Sequence, residues 1–539
     1  MQPLAISLFL APLALVLPLV PEIAFGHAER QTDSPARLGP VPDAGRSHDY
    51  TLDVCTTGDC QFDEIQPAID YVRANIRSVD ESGPVLIRIW PGRYEEPTSL
   101  SRPQLVPDNE DGTYSFEHHI LNPNSQNLVA IAGLKNITLR GMGQCPRDVV
   151  IDAAFEKHVT IRGDRADGLI VQNLSAWHAF DHGVYVLDTD GFLLDRVHSG
   201  FSREYPFLTF ANDWGKMTEC EGFGGGDAGI YPGGSADTPG RPSMEVSHCR
   251  SYDNVLGYSG SNGDHVWVHD SQFYNNAIGF TSDSLTDHPN YPQNNLQLEN
   301  NYFYDNNQNV YGPNANIKPV VFTNSILIPK GVGIFLASGH ENVVQNNWIW
   351  GHERYGVWLA SGEGMVIGPT SEPPAPPFMS SGNRFVGNRM YAPPVVPPDV
   401  STDPTFQPSS EPNRTDFGWD GLGWNNCWEA NTADEEGPTT SDHPLLPPCH
   451  DPVLGTPMPI TPPVPWAPNL LEQAGLVFVE NPLDGGKPTP LCRILGLEPC
   501  EWEEGQNPNA RNTPGGYLKP LAPPDCGPGD TQPCASLCD

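Results

Sequence analysis

Positive charge is scarce in this 539-residue chain: 29 Lys and Arg stand against 66 Asp and Glu, a formal net charge of −37. Phosphate binding needs basic surface, so nucleic acid is excluded as a partner. Unassisted binding of a polyuronate is disfavoured as well, because like charges repel, although a bridging cation such as calcium reverses that. Long apolar runs are equally scarce. The stretch Leu4 to Val20, with Pro12 and Pro18 inside it, precedes the small-x-small patterns Ala24-Phe25-Gly26 and Gly26-His27-Ala28. It reads as a signal peptide over residues 1–28, and a secreted, extracellular protein is expected. No later stretch is long enough to span a bilayer. No CxxC pair occurs and no His has ligand spacing, so the twelve cysteines point away from zinc and toward an oxidising compartment. Close spacing pairs Cys55 with Cys60, Cys427 with Cys449 and Cys492 with Cys500, with further pairs among Cys526, Cys534 and Cys538.

What the chain has in place of these is repetition. Val246-Ser-His-Cys-Arg-Ser-Tyr-Asp-Asn254 returns as Val268-His-Asp-Ser-Gln-Phe-Tyr-Asn-Asn276, and again from Leu298 to Asn306. So short a period marks a solenoid, since one repeat cannot bury its own apolar face. β-branched and aromatic residues alternating with polar ones between Asn and Gly turns make the repeats strands. Residues one period apart then stack about 4.8 Å apart. A glycine recurs at Gly183, Gly229, Gly257, Gly279, Gly333 and Gly356, with Pro206 and Asn309 in its place in two coils. Beside it runs an expected interior column of Val184, Phe207, Ile230, Tyr258, Phe280, Ile334 and Val357. Gly suits a corner that needs left-handed backbone. Asn254, Asn276 and Asn306 form a second column, read as an amide ladder and not as catalytic.

Ahead of the repeats, Ile65, Ala68, Ile69, Val72 and Ile76 share one helical face, with Pro67 tolerated in the first turn. Such a helix can close the end of a solenoid. The run Phe62-Asp-Glu-Ile-Gln-Pro-Ala-Ile-Asp-Tyr-Val72, then Val85-Leu-Ile-Arg-Ile-Trp-Pro-Gly-Arg-Tyr-Glu95, resembles the start of secreted right-handed parallel β-helix proteins of the pectin-lyase-like superfamily. Gly226-Asp-Ala-Gly-Ile-Tyr-Pro-Gly233 resembles a motif of bacterial right-handed β-helix repeat proteins. The resemblance implies an all-β solenoid with a capping helix over residues 50–395. A Pro-rich, disulfide-stapled segment follows over 396–539. Half of the 58 prolines lie between Pro393 and Pro533. In that segment Trp419, Trp424 and Trp428 surround Cys427 and are expected to pack on the last coil.

One constellation carries chemistry. Two residues before the corner stand Asp181, Glu204 and Asp227, spaced 23 and 23. Stacked carboxylates cannot all ionise freely, so they share protons or hold a cation. They are the candidate catalytic residues, with Asp181 and Asp227 as candidate calcium ligands. Trp177, His182, Tyr205, Trp214 and Tyr231 are the candidate sugar-binding platform, and the stretch Gly226 to Gly234 a candidate groove rim, with the glycines Gly224 to Gly226 leaving the backbone open beside Asp227. Cys220 and Cys249, equivalent in consecutive coils, are expected to be bridged. The catalytic motifs of polygalacturonases, mannuronan epimerases and pectate lyases are absent, so the resemblance passes on no reaction. Two readings stay open. One is a protein that binds or cleaves an extracellular polysaccharide as a hydrolase, lyase or epimerase. The other is a noncatalytic surface or adhesion protein with a glycan-binding face.

Overall fold

The computed structural model describes residues 40–109, 115–286, 288–308, 310, 330–361, 378–395, 408–434, 437–442, 446–450, 478–481 and 487–490. The expected signal peptide, Asn309, and Cys492, Cys500, Cys526, Cys534 and Cys538 lie outside them. Among the described residues, strands stack coil on coil into a ten-stranded and a nineteen-stranded sheet, both parallel throughout. In the nineteen-stranded sheet, strand Asp190–Gly200 pairs with both Asp213–Thr218 and Glu221–Phe223, so most coils contribute two strands to it. No helix of the described residues is long and apolar enough to cross a membrane.

The interior column is in the expected register, Val184 on Phe207, Ile230, Tyr258, Phe280, Ile334 and Val357. It continues through Ile161 to Val129 at one end and to Phe417 at the other, and all ten side chains are buried in one core. Stacking at coil spacing lets aromatic rings lie face to face, as Tyr258 and Phe280 do at 3.9 Å between centroids.

The recurring glycines are there for a different reason from the one expected. None of Gly183, Gly229, Gly257, Gly279, Gly333 and Gly356 has a positive φ. A side chain simply has no room: a Cβ on Gly257 would lie 2.3 Å from Gly279 O, and one on Gly333 would lie 2.5 Å from Gly356 O. Left-handed backbone belongs to the other corner, where Asp253, Asn275 and Asp305 each precede a ladder residue. There Asn254 Nδ2 donates to Asn276 Oδ1 (3.2 Å), Asn276 Nδ2 to Asn306 Oδ1 (3.0 Å), and His352 takes the next rung. A second ladder joins Asn301, Asn347, Asn388 and Asn431. Each Asn of the two ladders also bonds backbone of the neighbouring coil, so these amides cost nothing in unmet polarity.

The cap forms as expected. Helix Ile65–Tyr71 continues as the π-turn Val72–Ile76, and Ile65, Ala68, Ile69, Val72 and Ile76 are all buried. Its first N–H groups, on Ile65 and Gln66, donate to the carboxyl of Glu96 at 2.7 and 3.0 Å. The solenoid itself runs past the expected boundary at 395. Thr415–Trp419 pairs with Tyr355–Ala360, and Cys427–Glu429 with Arg384–Val386. Trp428 stacks on Phe385 inside the core (5.1 Å) and Cys427 is bonded to Cys449, so the tryptophans close the far end. Cys55 is bonded to Cys60.

Cys220 and Cys249 are a correction: both are free and buried. Strands in parallel register carry equivalent side chains in the same direction, so their Cβ atoms stay about as far apart as the strands, roughly 4.8 Å. A disulfide needs them to converge to about 3.8 Å. Each thiol instead faces backbone carbonyls, Cys220 those of Leu194 and Thr218 and Cys249 that of Ser247. Burial and then the Cys249 neighbour push the Cys220 thiol well above its ordinary range.

Candidate functional site

The acid column exists, and it begins one coil earlier than the acids do. Asp181 N–H donates to His158 O (2.9 Å), Glu204 N–H to Asp181 O (2.9 Å) and Asp227 N–H to Glu204 O (3.1 Å). The column stands at the corner where the chain enters the ten-stranded sheet, just ahead of strands His182–Leu187, Phe207–Phe210 and Ala228–Gly233. His158 precedes Asp181 by the same 23 residues that separate the acids, so the signal was in the sequence.

Its members are not equivalent. The His158 ring bonds through Nδ1 to Asp181 Oδ2. Arg203 reaches Asp181 Oδ1 with Nε (3.1 Å) and Nη2 (2.6 Å), and Nη2 also meets Glu204 Oε1 at 3.3 Å. Burial alone would raise Asp181, but the His158 bond and the Arg203 charge outweigh it and hold the carboxyl well below the ordinary range. Asp227 has the opposite environment. Burial pushes it up to about 7, although Tyr205 Oη–H donates to its Oδ2 at 2.9 Å, and the charge of Asp283 adds to the rise. Two carboxyls of one column are thus driven apart, the arrangement that separates a standing base from a proton-holding acid.

Exposure divides the column again. The side chains of His158, Asp181, Arg203 and Glu204 are 38%, 15%, 18% and 20% exposed, and Phe180 beside them is 37% exposed. Asp227 is buried. So are His182, Tyr205 and Tyr231, which with Trp177 make four of the five residues expected to form a sugar platform. His182 stacks on Tyr205 (5.4 Å), Tyr205 packs on Tyr231 (4.8 Å), and Tyr231 Oη meets His288 Nε2 at 3.3 Å. They brace the outer face of the ten-stranded sheet and do not offer it to a ligand. Burial drives His182 down to about 3, so it is a neutral packing group.

The two tryptophans are elsewhere. Trp177 is buried and lies in register with Gly200 in the nineteen-stranded sheet. Trp214 follows strand Phe207–Phe210, at the far end from Glu204, where Arg241 stacks on it (4.0 Å) while forking Asp213 at 2.7 and 2.6 Å. Sequence distance from a corner does not say which corner a residue joins, and both were misplaced for that reason. Gly225, beside the expected rim, packs inside the corner as well. A Cβ on Gly225 would lie 2.6 Å from the Pro206 ring, and its N–H is taken by Asn254.

The two candidate calcium ligands are turned to other partners. No group of three or more His, Cys, Asp or Glu side chains among the described residues is gathered to hold a metal ion. Asp181 points its two oxygens at a ring and a guanidinium, and Asp227 is turned to Tyr205. Signals that reasoning from sequence missed are His158, Arg203 as a partner of two acids, and Phe180.

Residues 159–371 match the family described as right handed beta helix region. With the stacked parallel sheets, this makes the fold a right-handed parallel β-helix. No curated protein matches the sequence. Among solved structures the chain is similar to the A-module of mannuronan C-5 epimerase AlgE6 from Azotobacter vinelandii, at 14% identity over 70% of this chain and 92% of that one, with a TM-score of 0.39. It is similar to pectate lyase Pel9A at 11% identity over 74% and 80%, with a TM-score of 0.32. A DFA-IIIase from Arthrobacter chlorophenolicus is 11% identical over 73% and 98%, with a TM-score of 0.37.

Proposed function

We propose that this is an exported protein that acts on an extracellular polysaccharide, with His158, Asp181, Arg203 and Glu204 as its working rim. The observation that carries this reading is the His158 ring, partly exposed and held through Nδ1 by a carboxylate. A carboxylate on one ring nitrogen fixes the tautomer and leaves the other nitrogen to take or give a proton. Arg203 keeps Asp181 ionised for that task, and Glu204 supplies a second carboxylate one coil away. A glycan laid along the solenoid axis meets His158, then Asp181, then the Arg203–Glu204 pair, in three successive coils.

Asp227 is the column's reserve of a proton near neutrality, reached through Tyr205 and not directly from solvent. Hydrolysis, elimination and epimerisation of a polysaccharide all require proton movement at a ring carbon or a glycosidic oxygen, which is what such a rim provides.

The test is to incubate the full chain with a panel of soluble polysaccharides and follow released reducing ends and unsaturated products. His158→Ala and Asp181→Asn are expected to lose turnover while still binding the polymer. A wild-type protein that binds a glycan and leaves it intact, with both variants indistinguishable from it, supports the adhesive reading and removes the catalytic one.

A further inference from the structure

We infer that the polysaccharide taken at this rim is uncharged, that a sugar ring stacks on Phe180, and that any cleavage there is hydrolytic. This rests on the rim being a polysaccharide site, and it narrows that site by charge and by geometry.

The cations nearest the rim are already committed. Arg203 spends its fork on Asp181 and Glu204, at 2.6 and 3.3 Å. Lys157, buried beside His158, gives its Nζ to the carbonyls of Arg102 and Ser125 at 2.9 and 3.0 Å. Arg162, buried at 4% exposure, bonds Asp164 at 3.2 Å. His158 Nδ1 is held by Asp181. A uronate carboxylate arriving here would have to displace a fixed carboxylate from Arg203, against the field of a chain with net charge −37. An uncharged sugar meets no such competition.

Phe180 supplies the contact that such a sugar needs. It is one of few large apolar side chains left exposed among the described residues, and it directly precedes Asp181. Arg203 lies 4.4 Å over its ring and the His158 ring meets it edge-on at 5.2 Å, so Phe180 is held in place against both working groups. A sugar resting on it is carried to His158 and Asp181. Aromatic rings give apolar contact at little entropic cost.

The reaction class follows from the substrate. Elimination and C5 epimerisation both need a carboxyl group, free or esterified, beside the C5 hydrogen to make it acidic. A plain hydroxylated glycan, with neither acid nor ester there, leaves displacement at the anomeric carbon, with water as the acceptor. The glycosidic carbon–oxygen bond breaks with its electron pair going to the leaving oxygen, which takes a proton from the rim. Water adds to the anomeric carbon and gives its own proton back to the rim, so atoms and charge balance.

Binding of the full chain to three soluble polymers, an uncharged glucan or mannan, a polyuronate and a deacetylated amino glycan, tests this at low and high salt. We expect binding to an uncharged polymer, insensitive to salt, weakened about tenfold by Phe180→Ala with no loss of thermal stability and restored by Phe180→Tyr. Products should carry new reducing ends and no unsaturated sugar. Phe180-dependent binding of the polyuronate or of the amino glycan alone, or unsaturated products, overturns the inference and leaves the polysaccharide reading standing. Failure to bind any polymer in a wider panel overturns both. A Phe180→Ala protein that binds an uncharged polymer as well as the wild type overturns the stacking role.

Discussion

Two corners of this solenoid each carry a column of polar residues one coil apart, and they differ in almost every other respect. The amide corner repeats one chemistry. Each Asn of Asn254, Asn276 and Asn306 is fully buried and bonded to the next, and each is preceded by a left-handed residue that turns it inward. The corner at the mouth of the ten-stranded sheet changes chemistry with each coil, from His158 to Asp181, Glu204 and Asp227, and it is partly open. Uniform repetition along a solenoid satisfies the coils themselves. A column whose members differ, with one acid held down and another pushed up, is not explained by stacking and marks the place where chemistry is available.

The comparison breaks hardest at the amide corner. Asn276→Ala removes donors to Ser251 O, Tyr274 O and Asn306 Oδ1 and the acceptor of Asn254 N–H, all buried. A loss of about 3–5 kcal/mol in unfolding free energy is expected by chemical denaturation. A loss below about 1 kcal/mol would mean the ladder is decoration.

At the open corner the same kind of change should spare the fold and remove function. His158→Ala is expected to lower turnover about 10²-fold or more on a polysaccharide that the wild type cleaves, with thermal stability nearly unchanged because the ring is partly exposed. Equal turnover in the variant would detach His158 from the reaction.

Asp227 sharpens the contrast through pH. Its folded value of about 7 stands above the ordinary unfolded value of about 3.9, so it binds its proton more tightly when folded. The stability this contributes is complete below about pH 4 and is lost as pH rises through about 7. Asp227→Asn has no such loss. Its stability relative to the wild type should therefore rise between about pH 5 and pH 8, by of order 2 kcal/mol. A difference that is flat with pH would place the proton elsewhere.

The smallest effect concerns the thiols. Cys249→Ala should cost only about 1 kcal/mol, since it deletes one buried sulfur and no bridge. Peptide mapping without reductant should recover Cys220 and Cys249 both alkylated after denaturation; a linked peptide pair would contradict the free thiols.

The interior was legible because the period of the sequence is the period of the fold: Val184 through Val357 could be assigned residue by residue. The last coils were not, because 41 residues separate Asn388 from Asn347 and 43 separate Asn431 from Asn388, and so long a loop hides the phrase. Cys220 and Cys249 were placed in the right register but read with the wrong geometry, since register fixes neighbours and not the direction of their bonds. The three acids were legible by counting. Their histidine is hidden because a change of residue type breaks the run of acids, and Phe180 because nothing in a sequence says which of several aromatics stays outside.

The ladders have a consequence for how such a chain can change in length. Successive rungs are 22, 30 and 46 residues apart from Asn254 to Asn276, Asn306 and His352, yet the hydrogen bond between rungs is the same. The ladder counts coils and is indifferent to the residues between them. Insertions that leave from one loop and return to it are therefore invisible to the core, while a gain or loss that cuts into a strand must be a whole coil or must shear every rung beyond it. Length in this protein varies in two currencies, freely in loops and in integral steps along the axis. A duplicated coil would lengthen the working corner by one side chain without disturbing those already in place.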